Sequence, residues 1–232
     1  MTTPDFSAVQ LAINAFARDL HADAVDSGTV IAQMTDYALG VIPGAEHAGI
    51  TVATANHVTT PAATTDFPVT LDDIQREHRQ GPCLTAAAGA LLVEVTDLET
   101  ETRWPLYRVD ALARTPIRSI LSLQLFSSTR TRAALNVYSG TPHAFTPAAR
   151  DIGMTFATHT AMVWDAARRQ EQFERALASR DIIGQSKGML MERFDIDSQQ
   201  AFDMLRELSQ DTNTLVVDVA QRLVDIDHPA QS

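Results

Sequence analysis

The chain has 232 residues, 45% hydrophobic and 20% charged, with a net charge of −11, which suits one large domain or a core domain with a small appendage. The acidic excess argues against broad attraction to nucleic acid or to an anionic membrane, no apolar run reaches the length of a bilayer, and residues 1–7 carry Asp5 but no basic residue, unlike a secretory signal. One cysteine, Cys83, precludes an internal disulfide and fits a reducing compartment, so a cytoplasmic location is expected.

In chain order, Phe6, Val9, Ile13, Phe16 and Leu20 recur at helical spacing and predict a helix over residues 6–20. A second helix is predicted from Val30, Ile31, Met34, Tyr37, Ala38 and Val41, stopping at Pro43-Gly44. Residues 48–55 (AGITVATA) read as a strand, followed by an irregular Thr/Pro/Ala-rich stretch to about residue 70. Further strands are expected at 91–95 (LLVEV), 117–126 (IRSILSLQLF) and 133–138 (AALNVY), the last two joined by a hairpin loop over 127–132. Short helices are expected at 71–79 and 104–113. This order predicts an α+β domain, an antiparallel sheet with its flanking helices on one side.

A long helix starts at Thr146-Pro147, and Pro147 is acceptable in its first turn. Phe156, Val163, Ala166, Gln170, Phe173 and Leu177 lie on or near a seven-residue seam, which reads either as a short coiled coil between two copies or as a helix packed on its own domain. The C-terminal part divides into three helices. The first continues to Arg193; the second follows Asp197, which can form a capping box with Gln200, and should bury Ala201, Phe202, Leu205 and Leu208. The third starts near Asn213 and presents Val216, Val219, Ala220, Leu223 and Val224 as one apolar face. Three short amphipathic helices must share a core, so a small bundle is expected.

Lysine usage singles out one position. The chain has seventeen arginines and a single lysine, Lys187, and an ammonium differs from a guanidinium in being a compact point charge on a flexible stem. Lys187 shares a helix face with Arg180, Ile183 and Leu190. Gly184 and Gly188 stand four residues apart on another face of the same helix, which suits close approach of a neighbouring helix or of an RNA backbone.

Residues Leu177-Ala178-Ser179-Arg180, Ile183-Gly184, the run Lys187 to Arg193 (KGMLMER), then Ala201-Phe202, Leu205-Arg206, Ser209, Asn213 and Val219-Ala220 closely resemble the ANTAR domain. That resemblance implies a three-helix RNA-binding module of transcription antitermination regulators acting on stem-loop RNA. Its candidate RNA-binding residues here are Arg180, Lys187, Arg206, Ser209 and Asn213. The chain departs from the pattern at Leu215 and Val217, where relatives carry basic residues, and at Ser186, where alanine is usual. From Gln170 to the end there are six Lys/Arg against twelve Asp/Glu, a net of −6.

Asp72, Gln75, Gly81-Pro82-Cys83-Leu84, Asp97-Leu98, Arg103-Trp104-Pro105, Ile117-Arg118-Ser119, the run Ala134 to Ser139 (ALNVYS) and Ala144-Phe145 look like the GAF sensor domains fused to ANTAR in actinobacterial proteins. The resemblance implies an α+β sensor over residues 1–165, with a connecting helix and ANTAR bundle over 166–232. It also implies a small-molecule ligand of unknown identity and a homodimer through the connecting helix and the GAF-like part. A phospho-receiver input is excluded, because it needs a lysine beside its aspartate and none precedes Lys187.

Cys83 follows the Gly81-Pro82 turn signal and reads either as a sensing thiol or as a buried, inert one. Trp104 reads as a structural wedge or as the wall of a sensor pocket. The seven histidines show no metal-ligand spacing, and no nucleophile elbow, P-loop or dinucleotide fingerprint is present, so neither a metal site nor an enzyme is expected. The function implied is a signal-responsive RNA-binding regulator. The alternatives are a protein-interaction adaptor without RNA, and a DNA-binding regulator, against which the acidic third helix counts.

Overall fold

The computed structural model describes residues 14–15, 26–54, 57–128 and 131–227. The helix expected over 6–20 lies, but for residues 14–15, outside them. The chain divides into two compact units, one reaching Arg168 and one starting at Arg169.

In the first unit, helix α1 (Ser27–Val41) starts where the Asp26 carboxylate accepts from the N–H groups of Gly28 and Thr29 at 2.8 and 3.0 Å. Strands β1 (His47–Thr54) and β2 (Val58–Ala63) follow, then helices α2 (Asp66–His78) and α3 (Pro82–Ala87), strand β3 (Leu92–Val95) and helix α4 (Pro105–Arg114). Strands β4 (Ser119–Ser127) and β5 (Thr131–Ser139) complete a five-stranded sheet of order β2-β1-β5-β4-β3, with every neighbouring pair antiparallel.

Two elements differ from the sequence expectation. Residues 58–63 form a strand, although Pro61 lies within it; β2 is an edge strand, where a proline gives up no ladder hydrogen bond on its open side. Helix α3 starts at the Gly81-Pro82 turn signal, with Pro82 in its first turn, where no helix was expected.

The sheet is covered on both faces, not on one. Ile50, Leu121, Leu123, Leu135 and Val137 pack with α1 and with the start of the long helix α5 (Pro147–Phe194). Ile120, Ala134 and Tyr138 point the other way, against Leu71 and Ile74 of α2, Ala86 of α3 and Tyr107 and Ala111 of α4. The central strands β4 and β5 are therefore buried on both sides, which is why they read as nearly unbroken apolar runs. Each large side chain removed from water here contributes about 1.5–3 kcal/mol.

Helix α5 begins with Thr146, whose hydroxyl accepts from the Ala149 N–H at 3.2 Å. It buries Ala149, Ile152, Phe156, Ala161 and Trp164 at helical spacing against the sheet. The expected seam is thus split. Phe156 is fully buried in the core of its own unit, whereas Phe173 and Leu177 are 66% and 49% exposed.

The second unit comprises the end of α5, α6 (Ser198–Thr212) and α7 (Val216–Asp227), held by Leu190, Ala201, Leu205 and Val219 with Ile183, Ile196, Val216 and Leu223 around them. Leu208 is exposed, contrary to expectation, because the buried stripe of α6 runs through Ala201 and Leu205 and turns away one turn later. The capping box is formed: Asp197 accepts from Gln199 and Gln200, and Gln200 accepts from the Asp197 N–H. Asp197→Ala should therefore destabilise the second unit by about 1 kcal/mol, seen as a lower thermal midpoint by far-UV circular dichroism. An unchanged midpoint would show that the cap is idle.

Candidate nucleic-acid interface and sensor core

Along α5, Arg180, Gly184, Lys187 and Met191 succeed one another at intervals of four, three and four, so they occupy one helix face. Arg180 is exposed and Lys187 is half-buried, its ammonium 5.9 Å from the centre of the Phe202 ring of α6. That contact sets the α6 stripe Phe202, Arg206, Ser209 beside the α5 stripe. Arg206 is exposed and holds Asp203 at 3.0 Å, a surface pair worth a few tenths of a kcal/mol and open to exchange for another anion.

The other two candidates build the turn between α6 and α7. The Ser209 hydroxyl donates to the Thr214 carbonyl, and the Thr214 N–H donates back to the Ser209 carbonyl at 3.0 Å. Asn213 adopts the left-handed conformation (φ 48°, ψ 42°) that ends α6, a role asparagine tolerates better than most residues. The structure thus groups Arg180, Lys187 and Arg206 on adjoining helix faces and puts Ser209 and Asn213 at the end of that surface. Ser186 is fully buried, its hydroxyl satisfied by the Ile183 carbonyl at 3.1 Å, so serine fits an alanine-sized gap without an orphaned donor.

The first unit holds a buried polar cluster between the sheet and α2–α4. Asp72 of α2 is 2% exposed. Its carboxylate accepts from Thr60 of β2 at 2.7 Å and Gln75 at 2.8 Å, and both oxygens lie within 2.8 Å of the Thr51 hydroxyl of β1. Asn136 of β5 donates to Thr51 at 2.8 Å. Gln75 in turn accepts from the N–H groups of Cys83 and Leu84 at 2.9 and 3.3 Å, tying α3 to α2. A Cβ on Gly81 would stand inside the Gln75 side chain, and its φ of 148° disfavours any other residue.

The Cys83 sulfur is fully buried, 3.6 Å from the Tyr138 hydroxyl and 3.7 Å from that of Ser122. Burial, with the Asp72 carboxylate as the next cause, pushes its thiol up to about 12, so it stays protonated. Trp104 is 7% exposed and packs among Val93, Val95, Leu98 and Tyr107 under the Arg103 guanidinium, 4.3 Å from the ring. Among the described residues, the buried Asn136 Oδ1 and Tyr107 hydroxyl meet no hydrogen-bond partner.

Thr51, Thr60, Tyr107 and Ser122 belong to this cluster and were not singled out from sequence. The available signal was a polar residue inside an apolar strand, as at Thr51 and Ser122. Among the described residues, one group has metal-ligand character, Glu77, His78 and Asp110. His78 already pairs with Asp110 at 2.7 Å and Glu77 with Arg114 at 3.2 Å, joining α2 to α4.

The family comparisons assign both halves. The GAF domain model matches residues 24–165, and the ANTAR domain model matches residues 171–224. The chain belongs to the GAF–ANTAR regulators. GAF domains are sensor modules and ANTAR domains are RNA-binding antitermination modules, so the GAF–ANTAR chain joins a sensor to a regulatory RNA-binding unit.

The GAF domain of a phosphoenolpyruvate-protein phosphotransferase from Coxiella burnetii is 11% identical, with a TM-score of 0.54 over 72% of this chain and 99% of its own. The phytochrome photosensory core module of Stigmatella aurantiaca is 13% identical, with a TM-score of 0.60 over 90% of this chain and 46% of its own. The free methionine-R-sulfoxide reductase of Neisseria meningitidis, solved with its substrate, is 13% identical, with a TM-score of 0.52 over 73% and 96%. At these identities the likeness concerns the fold alone. A search of curated proteins returns no match.

Burial raises the Asp72 carboxyl from 3.8 to about 6, against the opposing hydrogen bonds of Thr60 and Thr51. A raised carboxyl leaves the folded GAF unit holding a proton that the unfolded chain has released. Its contribution is therefore neutral below about pH 4 and destabilising by about 3 kcal/mol above about pH 6. The stability of wild type relative to Asp72→Asn should fall as pH rises from 4 to 7, followed by tryptophan fluorescence, since Trp104 and Trp164 both lie in this unit. A pH-independent difference would refute the buried ionisation. Gly81→Ala should cost about 2–3 kcal/mol by the same measurement; wild-type stability in that variant would mean that Gln75 is free to move aside.

Proposed function

We propose that this GAF–ANTAR chain is a signal-responsive RNA-binding regulator acting by transcription antitermination: it holds stem-loop RNA in a form that blocks the terminator hairpin. The supporting observation is the clustering of Arg180, Lys187 and Arg206 on adjoining faces of α5 and α6, with Ser209 and Asn213 at the end of that surface. Arg180 and Arg206 offer planar forks and Lys187 a point charge, the donor set for phosphate oxygens. Ser209 and Asn213 add neutral hydrogen bonding toward unpaired bases.

The input acts on the GAF unit, residues 1–165 in this reading, by way of a small molecule, with Cys83 and Trp104 as the candidate sensing residues. The output unit spans 166–232. The chain works as a cytoplasmic homodimer, to which the exposed Phe173 and Leu177 of α5 contribute. A regulatory site that binds and releases RNA needs no catalytic residue.

One observation favours a second reading, a protein-interaction adaptor. An open groove of about 300 Å³ lies among Leu190, Met204, Leu208 and Leu223, with Glu207 and Asp211 at its border. Pull-down from nuclease-treated lysate separates the two, because an adaptor keeps its partner when RNA is destroyed. The main test is a mobility shift with tandem stem-loop RNA from leader regions. Lys187→Ala should weaken binding about tenfold and reduce its salt dependence by about one ion. Equal binding by wild type and variant would remove Lys187 from the interface.

A further inference from the structure

The C-terminal unit has a second working side. Met204 and Leu208 of α6 follow Phe202 and Arg206 by two residues each, about 200° around the helix. They therefore point away from the surface that carries Lys187 and Arg206. Both are exposed and stand one turn apart. Between them and the neighbouring helices lies the open groove of about 300 Å³, floored by Leu190 of α5, Leu205 of α6 and Val219 of α7.

The charges along this groove are of one sign. Glu207 and Asp211 line it, and no cation does. Asp203 is held by Arg206 at 3.0 Å, whereas among the described residues Glu207 and Asp211 have no ion-pair partner. Contiguous exposed apolar side chains rimmed by charge are the pattern of a binding face. Here the rim is acidic and unneutralised.

We propose that the groove docks an amphipathic helix of a partner protein, one whose apolar stripe is flanked by Lys and Arg. Met204 and Leu208 form a ridge one turn long, and a second helix packs against such a ridge with apolar side chains at i, i+4 and i+7. Its cations then meet Glu207 and Asp211 at the rim, which speeds encounter and fixes direction. The same two acids exclude RNA from this side. A second copy of the chain fits less well, because a two-fold pairing sets Glu207 and Asp211 against their own equivalents. A small polar molecule would meet only apolar side chains on the floor. The inference goes beyond the RNA-binding reading and does not depend on it, since the opposite side of α6 stays open.

The test selects binders on the full chain from a displayed library of helical peptides, with Leu at every third or fourth position and the other positions randomised. The selected peptides should be enriched in Lys and Arg. The paired reversal Glu207→Arg with Asp211→Arg should weaken them about tenfold by fluorescence anisotropy. Leu208→Ser should do the same while the far-UV circular dichroism stays as in wild type. Asp36→Arg with Asp151→Arg, an equal charge change at exposed positions of the first unit, should leave peptide binding intact, and so should Lys187→Ala. Absence of binders, binders without a basic bias, or full affinity in the groove variants overturns the inference. So does an equal loss in the control pair, which would mean attraction to overall charge. A larger species in light scattering that Leu208→Ser abolishes assigns the groove to a second copy and also overturns it. The mobility shift with stem-loop RNA reads the other side of α6, so either reading can fail alone.

Discussion

Helix α5 has to serve two cores with one uninterrupted backbone. Its first part is fixed by the sheet, through Ala149, Ile152, Phe156, Ala161 and Trp164, and its last part by Leu190 against Ala201 and Leu205. Between Trp164 and Ser186 no residue is buried. That middle stretch is held by helix propensity and by pairs one turn apart, Gln170 with Glu174 and Arg175 with Glu171, each worth a few tenths of a kcal/mol. Within the C-terminal unit, Arg180 and Lys187 share one face because seven residues make nearly two full turns of this helix.

The GAF unit shows a different compromise. A carboxylate taken from water is costly unless well paired, and among the described residues no cation pairs with Asp72. It is kept by neutral donors from β1, β2 and its own helix, and through Gln75 it governs where α3 sits. The same residues hold the Cys83 thiol in its protonated form: it lies in a buried site whose nearest potential charge is negative, the opposite of the electropositive, exposed setting that lowers a cysteine's pKa. A stimulus felt here would act by changing packing and hydrogen bonds rather than by thiolate chemistry.

Local patterns were the legible part of the fold. The Asp197/Gln200 capping box, the onset of α5 at Thr146-Pro147 and the 127–132 hairpin each depend on residues within a turn of one another. Strand β2 was hidden because its pairing with β1 matters more than the proline in it, and that pairing is a property of the sheet edge. The second covered face was hidden for a similar reason: an apolar run such as 117–126 cannot say how many layers bury it. In the buried cluster, Asp72 and Gln75 were visible through the family resemblance. Thr51, Thr60 and Tyr107 were not, since nothing about a threonine in a strand reveals a carboxylate 21 positions away. On the C-terminal surface, spacing along one helix grouped Arg180 with Lys187, while the place of Arg206 beside them depends on how α6 folds back, which Phe202 reports.

Charge distribution decides what kind of recognition such a surface can support. With a net of −6 from Gln170 onward, the unit repels a polyanion at distances beyond the Debye length of roughly 8–10 Å, and the gain arises only at contact. A unit of this charge should have little hold on arbitrary RNA, because its six Lys/Arg stand against twelve Asp/Glu and counterion release is correspondingly small. For such a unit, affinity would have to come from geometric fit rather than from charge. In an acidic unit that would favour selectivity, since repulsion weakens binding to every polyanion alike and only a geometrically matched one could offset it.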